Sequence, residues 1–194
     1  MRARPGWGII GPVIPGARIR LRRIERDDLP RLVEWMNDPA VREYLTLGYP
    51  MGLAHEEEWL EGTLRQEPAA QPFAIDARVS PPGTEPAEWV HVGTAGFHAV
   101  DWRNRSAELG IAIGRRDCWG KGFGTDAVRT LCRWAFEELN LNRVSLKVDE
   151  DNARGIASYE KAGFRLEGRL RQDRYRGGRH LDTLVMGLLR DELR

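Results

Sequence analysis

Gly120, Gly122 and Gly124 are the residues whose type and spacing most plainly suggest chemistry. They stand inside Arg115 to Leu139, RRDCWGKGFGTDAVRTLCRWAFEEL, and remove three side chains from five positions. The main chain there can take positive φ and approach another molecule closely. From Phe123 the pattern turns helical, with Ala127, Val128, Leu131, Ala135 and Leu139 on one face and Arg129, Arg133 and Glu137 on the other. The glycines therefore sit at a helix start, where free N–H groups and the positive end of the helix dipole favour an anion, above all a phosphate. The Walker pattern fails, because Lys121 is followed by Gly122 and no hydroxyl is placed for Mg²⁺. The dinucleotide fingerprint fails too, since its third glycine is out of register and the stretch lies past mid-chain. A pyrophosphate held without metal remains, beside the plainer alternative of a flexible glycine turn ahead of a helix.

Composition bounds the rest. A chain of 194 residues, 41% hydrophobic and with seven tryptophans, can bury one sizeable core, so one domain is expected. Thirty basic against 29 acidic residues give a net charge of +1, without the basic block that nucleic-acid binding requires. Cys118 and Cys132 have no metal or redox spacing, and His55, His91, His98 and His180 do not cluster. A reducing cytoplasm and no structural metal are the expectation. Pro5, Pro12 and Pro15 break the N-terminal stretch before it could form a signal-peptide core. No 18-residue apolar run exists, so no membrane span is expected.

The elements that must position the glycine turn follow in order. Residues 1–16 read as a flexible arm and 17–194 as the domain. Arg18 to Ile24 alternates as a half-buried strand. Asp27 caps a helix with Pro30 in its first turn, ending near Asn37. A short helix over 40–45 and a longer one over 54–65 come next, the second turning Trp59, Leu60 and Leu64 inward. Residues 72–79 and 88–100 form an antiparallel hairpin around SPPGTEPA, and Ala107 to Ile113 is a third meander strand. After the long helix, Arg143 to Val148 alternates without a break. Asn152 caps a short helix that Gly163 ends, and strands at 164–171 and 180–189 join through Gly177-Gly178.

The run ELGIAIG…WGKGFGTDA, then LNRVSLKV, then NARGIASYEKAGF with EGRLR, then GGRHLDTLVMGLL, resembles the GCN5-related N-acetyltransferase (GNAT) superfamily, in its Rim-type branch of ribosomal-protein N-terminal and spermidine acetyltransferases. The resemblance implies a single α/β (α+β) domain. Its mixed, mostly antiparallel sheet has six to seven strands, splayed between the fourth and fifth, with helices on both faces. It further implies that the glycine turn binds the pyrophosphate of acetyl-CoA without metal, through Gly120, Lys121, Gly122, Phe123, Gly124 and Thr125. Trp119 stands where the family usually has Gln or Arg, a change expected to alter packing over the phosphates. Ile111, Ala112 and Ile113 would bond the pantetheine arm as an added strand on an open edge. Arg116, with Arg115 and Lys121, would meet the adenosine phosphates, and Asn152 and Ser158 would also touch the cofactor.

Tyr159 occupies the family position of the general acid that protonates departing CoA thiolate. Reference pKa values near ~10 for a phenol and ~8.5 for a thiol make that transfer uphill by about 2 kcal/mol. Glu108 is the candidate base for the attacking amine, directly or through a water, with Asp101, His98 and His91 as alternatives. Cys118 at the helix start could carry an acyl group only with a lowered pKa, and no histidine is near it in sequence. The activity implied is direct acetyl transfer from acetyl-CoA to a primary amine, a peptide α-amine or a small molecule, in a ternary complex. The alternative is a non-catalytic acyl-CoA-binding module. The acceptor groove would lie between the two early helices and the loop joining the last two strands, and a homodimer could involve Leu184, Val185 and Met186.

Overall fold

The alternation that marks the strands is resolved by the two faces of one sheet. In the computed structural model, which describes residues 13–46, 48–81 and 83–193, eight strands lie in the spatial order β1-β2-β3-β4-β5-β6-β8-β7. They are β1 (Ile14–Pro15), β2 (Ile19–Arg23), β3 (Phe73–Arg78), β4 (Trp89–Asp101), β5 (Ser106–Ile113), β6 (Arg143–Asp149), β7 (Arg165–Arg176) and β8 (Arg179–Leu189). The helices are α1 (Leu29–Asn37), α2 (Pro39–Arg42), α3 (Leu53–Leu64), α4 (Phe123–Glu137) and α5 (Ala153–Ala162). Phe73 and Ile75 of β3 join a core completed by Ala127, Val128, Leu131 and Ala135 of α4. Ala74, between them, joins a second cluster with Leu29, Leu32 and Trp35 of α1 and Leu60 of α3. Helices thus cover both faces.

One strand beyond the expected six to seven comes from the N-terminal end. Ile14 and Pro15 pair with Leu21 and Arg20, so the arm expected to run to residue 16 is already sheet there; its first twelve residues lie outside the described part. β7 also runs on to Arg176, past the expected end at 171. On α3 only Leu60 of the expected apolar stripe is buried, whereas Trp59 and Leu64 are exposed and Glu56 and Thr63 take the inner positions. Its apolar residues do not gather into one dominant stripe, so tertiary contacts decide its face. Asp27 does not cap α1. A single 3₁₀ turn over Arg26–Asp28 precedes that helix, and the buried Asp28 carboxylate takes two bonds from Arg22, at 2.7 and 2.8 Å, and one from the Glu25 amide at 2.9 Å. Helix α2 ends at Arg42 rather than 45. Leu184 and Met186 are buried, because β8 lies between β6 and β7, while Leu166 and Leu170 are the exposed apolar residues of the edge strand β7.

Candidate active site

Strands β5 and β6 run parallel but pair over only Ser106–Glu108 with Arg143–Ser145. Beyond that point β6 stays paired with β8 as far as Asp149 and β5 with β4 as far as Ile113. The two therefore diverge, and from Leu109 to Ile113 the β6-facing side of β5 has no partner strand. This is the expected splay, between β5 and β6 once β1 is counted. An unpaired strand side is a template for an extended, amide-containing chain.

The open end of this fork meets the glycine turn. Gly120 (φ 72°) and Gly122 (φ 85°) are left-handed, the latter as the N-cap residue of α4. Gly124 is ordinary helix, so only two of the three glycines serve positive φ. What Gly124 supplies is space: a Cβ there would lie 3.6 Å from Ile113 Cγ1 and 3.7 Å from Ser158 Oγ. The first helical bond of α4 runs from the Asp126 amide to the Gly122 carbonyl at 3.1 Å, which leaves the Phe123, Gly124 and Thr125 amides at the dipole's positive end. Thr125 Oγ1 lies 2.9 Å from Ser158 Oγ, joining α4 to α5 beside these amides.

Trp119 closes one side of the turn. Its indole N–H donates to the Ile113 carbonyl at 2.7 Å, and the Arg154 guanidinium lies 3.6 Å from the ring centroid. The residue that departs from the family pattern thus remains a hydrogen-bond donor, spent on fixing the turn to the end of β5. The Ile113 carbonyl is correspondingly engaged by the protein itself. Arg116, at the surface, lies 3.6 Å from Asp38 at the end of α1. Sequence reasoning missed Asp126, whose carboxylate accepts from the Ala17, Arg18 and Ile19 amides at 3.2, 2.6 and 3.1 Å and ties β2 to the cradle. It also missed an open depression of 410 Å³ beside the turn, walled by Arg18, Thr125, Asp126, Arg129 and Lys161. Only the clustering of cations across three elements reveals it, which no local pattern encodes.

Tyr159 packs against the core on α5, 6.2 Å from the Phe164 ring, and burial pushes its phenol up to about 12. Among the described residues its hydroxyl has no hydrogen-bond partner. It is a proton donor at any working pH, and a weaker acid than a free phenol. Asn152 caps α5, its Oδ1 accepting from the Gly155 amide at 2.9 Å, so only its NH₂ remains for a ligand. Glu108, on the face of β5 opposite the α4 core, lies 3.4 Å from Lys147 Nζ. Cys118 is buried, and burial together with Asp117 raises its thiol, the reverse of what an acyl carrier needs. His91 is buried, its Nδ1 3.1 Å from Asp28 Oδ1, away from the fork. Asp101 bonds the Asn104 turn. The far wall is drawn in by arginines of the β7–β8 hairpin: Arg174 donates to the Leu45 carbonyl at 3.3 Å and Arg176 to that of Glu43 at 2.9 Å.

Residues 18–165 match the family model described as an acetyltransferase (GNAT) domain. This chain belongs to the GNAT acetyltransferase family. It is 32% identical over 177 residues to the uncharacterized N-acetyltransferase p20 of Bacillus licheniformis, covering 90% of this chain and 94% of that one. To the putative ribosomal N-acetyltransferase YdaF of Bacillus subtilis it is 40% identical over 100 residues, 52% of this chain and 54% of the relative. Its fold is that of the spermidine N-acetyltransferase from Vibrio cholerae in complex with CoA and spermine, with a TM-score of 0.78 over 91% of this chain and 98% of the other at 24% identity. The activity of this GNAT chain is acetyl-CoA-dependent N-acetyl transfer.

Proposed function

We propose that acetyl-CoA enters the fork between β5 and β6 with its diphosphate on the Phe123, Gly124 and Thr125 amides and its pantetheine arm along Leu109 to Ile113. The observation that carries this is the meeting of the unpaired β5 side with the cradle at Ile113, Gly124 and Ser158, whose atoms lie within 3.7 Å of one Cβ position. Lys121 and the Arg18–Arg129–Lys161 depression then receive the adenosine phosphates, in place of Arg116, which Asp38 holds. The thioester comes to the closed end of the fork. There a neutral primary amine attacks its carbonyl carbon, the C–S bond breaks, and Tyr159 gives its proton to the CoA sulfur. A desolvated thiolate is itself a stronger base, which narrows the proton-transfer gap that burial of the phenol opens.

The acceptor is a peptide α-amine or a small-molecule amine, held between α1, α3 and the β7–β8 hairpin. No metal is required by this scheme. The buried, unbridged thiols of Cys118 and Cys132 suit a cytoplasmic setting, and a second copy of the chain would pair through the edge strand β7. Release of free CoA from acetyl-CoA in the presence of an amine and peptide panel is the expected result, read with a thiol reagent. Tight acetyl-CoA binding without release on any amine would make the chain a binding module instead.

A further inference from the structure

The attacking amine must lose a proton, and Glu108 is poorly free to take it with Lys147 at 3.4 Å. The other titratable side chain at the closed end of the fork is His98. Strand β4 carries a bulge there: Phe97 pairs with Leu109 and Ala99 with Glu108, so His98 has no partner across the ladder. Such a bulge re-aims a side chain, and here it lays the imidazole on β5. A Cβ added to Gly110 would lie 2.0 Å from His98 Nε2 and 2.7 Å from Cε1. Position 110 must be glycine for the ring to sit there, and Nε2 is the ring atom nearest the strand. Gly110 is two residues past the last β5–β6 pair, about 10 Å along the strand from Ile113. This is where an arm entering at Ile113 must end. His98 is exposed and, among the described residues, makes no hydrogen bond or ion pair, so its nitrogen is available to an acceptor molecule.

We infer that His98 is the general base of this enzyme: Nε2 accepts the proton of the attacking amine as the new C–N bond forms at the thioester carbon, and Tyr159 supplies the proton that leaves with CoA. The inference rests on the acetyl-transfer reading. On this face Glu108 and Lys147 pair with one another, and Arg20 and Arg22 with Asp76. The test measures kcat against pH for the wild-type chain, His98→Gln, His98→Ala and Glu108→Gln, with acetyl-CoA affinity measured separately. His98→Gln should lose about 100-fold or more in kcat at pH 7, with acetyl-CoA Kd changed less than about threefold, and the acidic limb of kcat should vanish. Added imidazole should restore part of the kcat of His98→Ala, which a residue that merely covers Gly110 would not allow. A kcat within about threefold of wild type in His98→Gln, or a pH-independent defect that imidazole does not rescue, overturns the assignment, as does loss of the acidic limb in Glu108→Gln alone. Wild-type chain without turnover on any amine overturns both this and the parent reading, whereas turnover that survives His98→Gln overturns this one alone.

Discussion

At the scale of single residues, the site depends on where burial places protons. Tyr159 is a donor because its phenol is driven up to about 12. It therefore keeps its proton at neutral and mildly alkaline pH, and the descending alkaline limb often expected of a catalytic acid should be absent below about pH 10. Tyr159→Phe removes the hydroxyl and leaves the ring against Phe164. It should lower kcat by about 10²–10³ and leave acetyl-CoA Kd within about twofold, measured by single-turnover kinetics and calorimetry. A large loss of affinity would show that the hydroxyl binds rather than protonates. Tyr159 was legible through its motif, since a ten-residue helix with a cap at each end carries it. The energy of its proton transfer was not, because burial belongs to the packed molecule: the gap that reference pKa values put at about 2 kcal/mol widens when only the phenol is desolvated. Glu108 shows the same limit from the other side. Its strand and face could be read from alternation, but its ion pair with Lys147 joins β5 to β6, which the sequence separates by a helix.

At the scale of elements, the glycine turn was legible as an anion cradle but not in its division of labour. Spacing alone gives all three glycines one role, whereas the backbone assigns positive φ to Gly120 and Gly122 and helical geometry to Gly124. The three alanine variants should therefore part company. Gly122→Ala forces an L residue into the left-handed region at the N-cap and should cost about 1–2 kcal/mol of stability, with weaker acetyl-CoA binding as the first turn of α4 shifts. Gly120→Ala should cost about as much stability, since open space around its Cβ leaves only the backbone strain. Gly124→Ala should be neutral or slightly stabilising, because alanine favours helix by about 1 kcal/mol over glycine and its Cβ meets only ordinary contacts at 3.6 and 3.7 Å. Its loss should fall instead on acetyl-CoA affinity, by about tenfold, because the methyl occupies the surface the phosphates approach. Thermal melts and calorimetry on the three proteins separate the cases, and equal loss of stability in all three would contradict the assignment. The long amphipathic α4 and the alternating β6 were placed from sequence almost to the residue, because one buried face dominates each. Helix α3 was not, since it carries Glu56 inward and Trp59 outward, against the apolar pattern.

At the scale of the whole molecule, the fork that makes the site also divides the sheet, with five strands on one side and three on the other. The five-stranded part is braced by a chain of buried charges that crosses from sheet to helix. Arg20 and Arg22 meet Asp76 of β3 at 3.0 and 3.1 Å, Arg22 continues to Asp28 at the foot of α1, and His91 of β4 approaches Asp28 from behind. Burial by itself would push the Asp28 carboxyl up, but the Arg22 bonds, His91 and the Glu25 amide outweigh it and hold the group well below the usual carboxylate range. A carboxyl depressed in the folded state stabilises the fold fully above its unfolded pKa of about 3.9 and progressively less as pH falls toward the folded value. Asp28→Asn should consequently cost about 3 kcal/mol at pH 7, by leaving Arg22 short of a buried partner, which in a chain of this size lowers Tm by about 6–12 °C. The gap between the two proteins should hold down to about pH 4 and then narrow by about 1.4 kcal/mol per pH unit, because only the wild-type chain still has that proton to take up. Urea unfolding of both proteins between pH 7 and pH 3 reads this directly. A gap that stayed constant across that range would mean that Asp28 contributes by shape alone, and that α1, one wall of the acceptor groove, is held by its apolar contacts with Leu60 and Ala74 rather than by charge.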